Sequence, residues 1–143
     1  MTGLARSIFD VLPGAWSLSR QIDDARFGAG DFSGTASFTA HGEDALLYRE
    51  QGVLRLGAWR GPAWRQWLYS LEGDALLVRY PGTLAGLHVF KFADAAIARH
   101  THQCGGDRYD AEFGVAPDGS LSLTYAVSGP AKDYRLRTLL RRA

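Results

Sequence analysis

The feature that most constrains the fold is a period-two alternation of apolar and polar residues, restarting repeatedly after Pro13-Gly14, each time behind a tight-turn signal. Successive side chains on a strand point to opposite faces, so alternation describes strands with one buried face and one wet face. Trp16, Leu18, Arg20 and Ile22 alternate with Ser17, Ser19 and Gln21. Phe32, Gly34, Ala36 and Phe38 alternate with Ser33, Thr35 and Ser37. The same pattern predicts strands over 45–51, 53–59, 64–71, 75–80, 87–92, 95–102, 108–115, 121–127 and 134–142. Gly-rich 27–31, His41–Asp44, Gly61-Pro62, Gly73, Pro81-Gly82, Ala93-Asp94, Gly105-Gly106, Asp118-Gly119 and Gly129-Pro130 supply the turns, with Gly52 and Gly57 as bulge or turn points.

Loops this short make sequence neighbours pair as an up-and-down meander. About ten strands laid flat would expose long edges and an unburied face, and closure removes both. The expected architecture is therefore all-β: a closed antiparallel up-and-down barrel of about ten strands, with a two-sheet sandwich as the alternative. The N-terminal segment differs. Leu4, Ile8 and Phe9, then Val11 and Leu12, recur at helical spacing, so a short helix within 1–12 is expected to close the barrel base before Pro13-Gly14 stops it. Residues 1–143 are expected to form one domain.

Composition narrows the function classes. A chain of 143 residues with 46% hydrophobic residues can bury a core without disulfides or structural metal. A net charge of +1 leaves no footprint for nucleic acid, and the basic end at Arg135, Arg137, Arg141 and Arg142 reads as the solvated face of a last strand. Cys104 is the sole cysteine, which fits a reducing compartment. Arg6 and Asp10 interrupt the first apolar stretch, so it lacks the uninterrupted apolar core of a signal peptide, and no run approaches the ~18 apolar residues of a membrane helix. A cytoplasmic protein, with no membrane or nucleic-acid partner and monomeric or homodimeric, is expected.

A helix running into Gly14-Ala15-Trp16, with Arg137 and Arg141 on the last strand, resembles the lipocalins and their calycin relatives, including fatty-acid-binding proteins and nitrobindins. In those barrels an Arg near the chain end packs on the Trp, and the resemblance implies the same here for Arg137 or Arg141. Gly14-x-Trp16, Arg20, Gly34-x-Ala36-x-Phe38, Tyr48-x-Glu50, His102-x-Cys104-x-x-Asp107-x-Tyr109 and Gly129-Pro130-x-Lys132-Asp133-Tyr134 are together similar to domain-of-unknown-function family 6314. That resemblance implies a calycin-like fold and a bacterial or fungal source. It implies no activity and supplies no catalytic residues.

His100, His102 and Cys104 would share one strand face. Two histidines two residues apart, roughly 6.6 Å along a strand, can converge on one metal ion, whereas Cys104 would lie about 13 Å from His100. Asp107, His88 or Glu50 would have to complete such a site. Otherwise these histidines line a polar cavity or bond neighbouring strands. Haem held through a histidine is a further possibility implied by the nitrobindin likeness. Cys104 reads as a small buried hydrophobe or as a nucleophile beside a histidine. Arg20, Tyr48 and Glu50 fall in phase with apolar neighbours, so Arg20 is expected either to pair with Glu50 or to hold a ligand carboxylate or phenolate. Asp107, Tyr109, Lys132, Asp133 and Tyr134 are expected at a rim. Trp59, Trp64, Trp67, Tyr69, Phe90 and Phe92 could stack on a flat ligand or fill core and outer face.

Three functions follow in order of preference. The first is binding of a small planar or amphipathic molecule by Arg20, Tyr48, Glu50, Tyr69, His88, Phe90, His100, His102, Cys104 and Lys132. The second is acid–base catalysis, with His100 or His102 as base and Tyr109 or Asp107 as partner. The third is a plain structural or interaction domain with its interior filled. The sequence requires no cofactor; haem or a metal ion on His100 and His102 stays open.

Overall fold

The structure, a computed structural model, describes residues 3–83, 85–93 and 95–143. Helix α1 (Leu4–Val11) precedes ten strands: β1 (Gly14–Asp24), β2 (Gly28–Ala40), β3 (Ala45–Leu56), β4 (Trp59–Glu72), β5 (Ala75–Arg79), β6 (Gly86–Lys91), β7 (Ile97–Cys104), β8 (Asp107–Val115), β9 (Leu121–Ser128) and β10 (Asp133–Arg142). They form one antiparallel sheet in the order β6-β5-β4-β3-β2-β1-β10-β9-β8-β7. Pairing of β1 with β10 curls the meander round until β6 and β7 lie side by side. No ladder joins those two among the described residues, so the barrel is nearly closed, with a seam at β6–β7.

Segments 45–51 and 53–59, expected as two strands, are instead one long strand ending near Leu56, with the turn at Gly57. Gly52 is a point of close approach and makes no break. It pairs with Gly34, and a Cβ on Gly34 would sit 2.6 Å from the Gly52 Cα and collide with the Gln51 carbonyl oxygen. The turn expected at Gly61-Pro62 is also absent: both residues lie inside β4. Pro62 is tolerated there because, among the described residues, β5 pairs with Leu68–Glu72 and leaves the first half of β4 a free edge. The turn after β1 falls at 25–27, so β2 starts earlier than expected.

One end of the barrel is a solid apolar plug. Phe90, Phe92, Phe113, Leu121 and Leu140 meet there, all fully buried. Ala5, Ile8 and Phe9 of the helix, together with Leu12, join the same core. Each large side chain so buried contributes roughly 1.5–3 kcal/mol. The Trp16 indole Nε1 donates to the Leu12 carbonyl at 2.9 Å, tying the helix exit to the first strand.

Arg142, neither Arg137 nor Arg141, packs on Trp16, its guanidinium 4.0 Å from the ring centroid. Register explains the difference. Arg142 is the cross-strand partner of Trp16, whereas Arg141 and Arg137 pair with Ser17 and Gln21, whose side chains face outward. Arg142 also donates to the carbonyls of Pro13 (2.9 Å) and Val11, so it caps the end of the helix segment as well as the indole.

Candidate functional site

Above the plug the period-two phase carries charged residues inward. Arg20, one alternation beyond Leu18, is 7% exposed, and Glu50 is 1% exposed. An isolated charge there would cost several kcal/mol, so each must be paired. Arg20 Nη1 and Nη2 donate to the two Glu50 oxygens, each at 2.8 Å, and Arg20 Nε donates to Thr138 Oγ1 at 2.7 Å. The Tyr48 hydroxyl donates to Glu50 Oε2 at 2.6 Å. Arg20 also lies over the Phe32 ring, 5.2 Å from its centroid. Of the two expected roles for Arg20, pairing with Glu50 is the one its geometry displays.

Burial alone would raise the Glu50 carboxyl, but hydrogen bonds from Arg20 and the charges of Arg65 and Arg20 hold it below its ordinary value. Burial, and then the Glu50 charge, push the Tyr48 phenol well up. This layer is ionised carboxylate, guanidinium and neutral phenol, already satisfied from within.

Arg65 departs from that closure. It enters from β4 opposite Glu50 in the β3–β4 register. Its Nε lies 2.7 Å from Glu50 Oε1 but off the line of a hydrogen bond, and among the described residues that buried nitrogen has no hydrogen-bond partner. The guanidinium stands 5.4 Å from the centroid of Trp67, two residues along the same face.

Arg65 forms the floor of a cavity of about 220 Å³ at the barrel's other end. Trp67, Tyr80, Tyr109, Tyr125 and Tyr134 wall it, with Leu87, Val127 and Leu136 between them. Trp67 packs edge-on against Tyr80 at 5.1 Å. Burial raises the Tyr125 phenol to about 12, so it is a neutral hydroxyl at neutral pH. Among the described residues the hydroxyls of Tyr80, Tyr125 and Tyr134 make no hydrogen bond with the protein. At the rim Lys132 Nζ donates to the Tyr109 hydroxyl at 2.7 Å and pairs with Asp107 at 3.2 Å.

A second cluster lies at the seam. His88 of β6, 2% exposed, sets its Nδ1 3.0 Å from the Nδ1 of His100 on β7. Phe90 stacks on His88 at 5.5 Å, and Tyr125 and His102 stand 5.4 and 6.2 Å from it between centroids. The His88 Nε2 is buried without a partner among the described residues. Burial first, then His100 and His102, lower His88 to about 4, and burial and His102 lower His100. Among the described residues no three His, Cys, Asp or Glu side chains converge to hold a metal ion. His102 faces Tyr109 across the β7–β8 ladder, ring centroids 5.9 Å apart.

The remaining sequence candidates scatter. Cys104 ends β7 exposed, so it is not the buried hydrophobe that the sequence suggested. Phe90 and Phe92 belong to the apolar plug, and Trp59 and Trp64 are exposed, the latter under Arg49 at 4.8 Å on the outer face. Tyr69 is buried beside Tyr48 and Phe38, below the cavity. Arg65, Tyr80 and Tyr125 went unnamed in the sequence reading. The signal for Arg65 was present, since Arg65, Trp67, Tyr69 and Leu71 keep one alternation phase.

A ten-stranded antiparallel barrel plugged at one end, crossed by a charged layer and hollow at the other, defines a small-cavity β-barrel protein. Among solved structures, a redesigned beta barrel, b11L5F_LGL, superposes with a TM-score of 0.52 at 15% identity, covering 99% of each chain. Another redesigned beta barrel, mFAP1, solved bound to DFHBI, superposes with a TM-score of 0.52 at 14% identity, covering 94% of this chain and 98% of its own. The chain belongs to the family of unknown function DUF6314, whose model matches residues 12–142. No curated protein matches the sequence significantly. Among the described residues no helix is long and apolar enough to cross a membrane.

Proposed function

We propose that this protein binds a small, planar, partly apolar organic molecule in the cavity above Arg65. The carrying observation is the division of the interior among the described residues: packed with apolar side chains at one end, paired within the charged layer, and open in a cavity of about 220 Å³ where aromatic walls meet unbonded hydroxyls. A cavity of about 220 Å³ suits a molecule of one or two rings. Ring faces of Trp67 and Tyr125 supply area, and the phenol hydroxyls supply orientation. Binding of DFHBI by the redesigned barrel mFAP1 is consistent with this use of the fold.

In this reading the ligand-facing residues are Arg65, Trp67, Tyr109, Tyr125 and Tyr134, with Lys132 at the rim. Arg20, Tyr48 and Glu50 support them from below. Residues 1–143 act as one calycin-like domain in the cytoplasm, with helix α1 sealing the base; Arg142 over Trp16 supports that kinship.

The test is titration of wild type and Leu136→Trp with indole-3-acetate, followed by calorimetry. Saturable binding by wild type, lost in the filled variant while its circular dichroism is unchanged, is the expected result. Equal binding by both proteins would remove the cavity from consideration. Turnover of an aromatic substrate that is abolished by His102→Ala would replace binding with catalysis.

A further inference from the structure

The geometry points to a small aromatic carboxylate as the cavity's ligand class, with Arg65 as its counter-ion. This deepens the proposed binding role and rests on it.

Two guanidiniums, Arg20 and Arg65, share a single carboxylate, Glu50. Arg20 takes both Glu50 oxygens in a fork, and Tyr48 adds a further hydrogen bond to Oε2. Arg65 therefore keeps one misaligned contact, and its Nη groups make no hydrogen bond among the described residues. None of the described residues lining the cavity is acidic. At the rim Lys132 is already balanced by Asp107. This layer thus sets two cations against one carboxylate, and Arg65, 37% exposed, is the less committed of the two at the floor of an aromatic-walled space. Guanidinium matches carboxylate in a planar two-point fork, and such charge-assisted bonds are about twice as strong as neutral ones. The Tyr125 hydroxyl, kept neutral by burial, is a further donor beside it.

Ligand recognition thereby moves from Arg20, where the alternation alone suggested a carboxylate site, to Arg65. Arg20 spends its fork on Glu50 and acts as the fixed partner that frees Arg65.

The experiment compares isosteric pairs: indole-3-acetate with indole-3-acetamide, and benzoate with benzamide, by calorimetry at low and moderate salt. The acids are expected to bind at least about tenfold more tightly than the amides, with a preference that shrinks as salt rises. Arg65→Gln should level each pair, and Arg65→Lys should restore part of the preference. Equal affinity for acid and amide in wild type would overturn the anion assignment while leaving the cavity reading intact. Binding of neither member would overturn both. An acid preference that survives Arg65→Gln would remove Arg65 from the role. Should Arg65→Gln fail to fold, Arg65→Lys carries the test: loss of the planar fork should lower the acid preference, and a preference equal to wild type would remove Arg65 from the role.

Discussion

The Nδ1 atoms of His88 and His100 stand 3.0 Å apart across the boundary between β6 and β7, where among the described residues no ladder closes the barrel. One ring must donate its proton to the lone pair of the other, so the contact exists only while at least one imidazole is neutral. The buried side of this bridge is packed by Phe90, Tyr125 and His102.

The seam should weaken in mild acid. His88 is lowered to about 4 in the folded protein, and His100 is lowered as well, whereas both titrate near 6.5 when unfolded. Between those values the unfolded chain binds more protons, so stability is full above about pH 6.5 and falls toward about pH 4. His88 alone corresponds to roughly 3 kcal/mol at most across that window. Urea midpoints measured from pH 8 to 4.5 should be flat and then drop, and His88→Phe should flatten the drop. A wild-type midpoint unchanged down to pH 4.5 would contradict a neutral buried pair.

The charged layer has its own response. Glu50→Gln leaves Arg20 and Arg65 facing each other without their carboxylate and should cost about 3–5 kcal/mol in urea unfolding. Arg20→Met combined with Glu50→Leu should cost less, because Arg65 can still turn toward the cavity. Since Glu50 sits below its ordinary pKa, its contribution persists above the unfolded value and is lost only as pH falls through the lower folded one. Acid loss from this layer therefore follows that of the seam. A single variant that unfolds no more easily than the double would show that Glu50 is not holding two cations.

The close approach of β2 and β3 should be intolerant of a methyl group. Gly52→Ala places a Cβ 2.9 Å from the Gly34 Cα and 2.8 Å from the Ser33 carbonyl carbon, which are backbone atoms with nowhere to go. The expected cost is roughly 3 kcal/mol, at the upper end for overpacking. Gly82→Ala, with nothing within 4 Å of the added carbon, is the matched control and should leave the thermal midpoint almost unchanged. Similar midpoints for the two variants would mean that the strands can separate there at little cost.

Much of this was readable from alternation. The inward phase of Trp16, Leu18, Arg20 and Ile22 followed from period two, and a charge in that phase demanded a partner, which Glu50 supplies. What escaped depends on curvature or closure. Gly52 and Pro62 carry turn chemistry, yet one serves a close backbone approach and the other a free edge, and neither circumstance is written locally. His88 and His100 share no ladder, so only the curl of the entire sheet brings them together. Arg65 had the right phase, but its surplus charge becomes visible only once Arg20 is seen to occupy both Glu50 oxygens.

The order of strands gives the seam a topological meaning. The first and last strands are bonded neighbours within the sheet, and its two edges are strands consecutive in the chain. The barrel is thus a circular permutation of a plain linear meander. Joining the strand ends at β1 and β10 and cutting between β6 and β7 would keep every ladder intact and place both new termini at the seam. In the native order covalent continuity and the His88–His100 contact do there what backbone ladders do around the rest of the wall, so the circumference is fastened at the seam by a tether and a side-chain clasp.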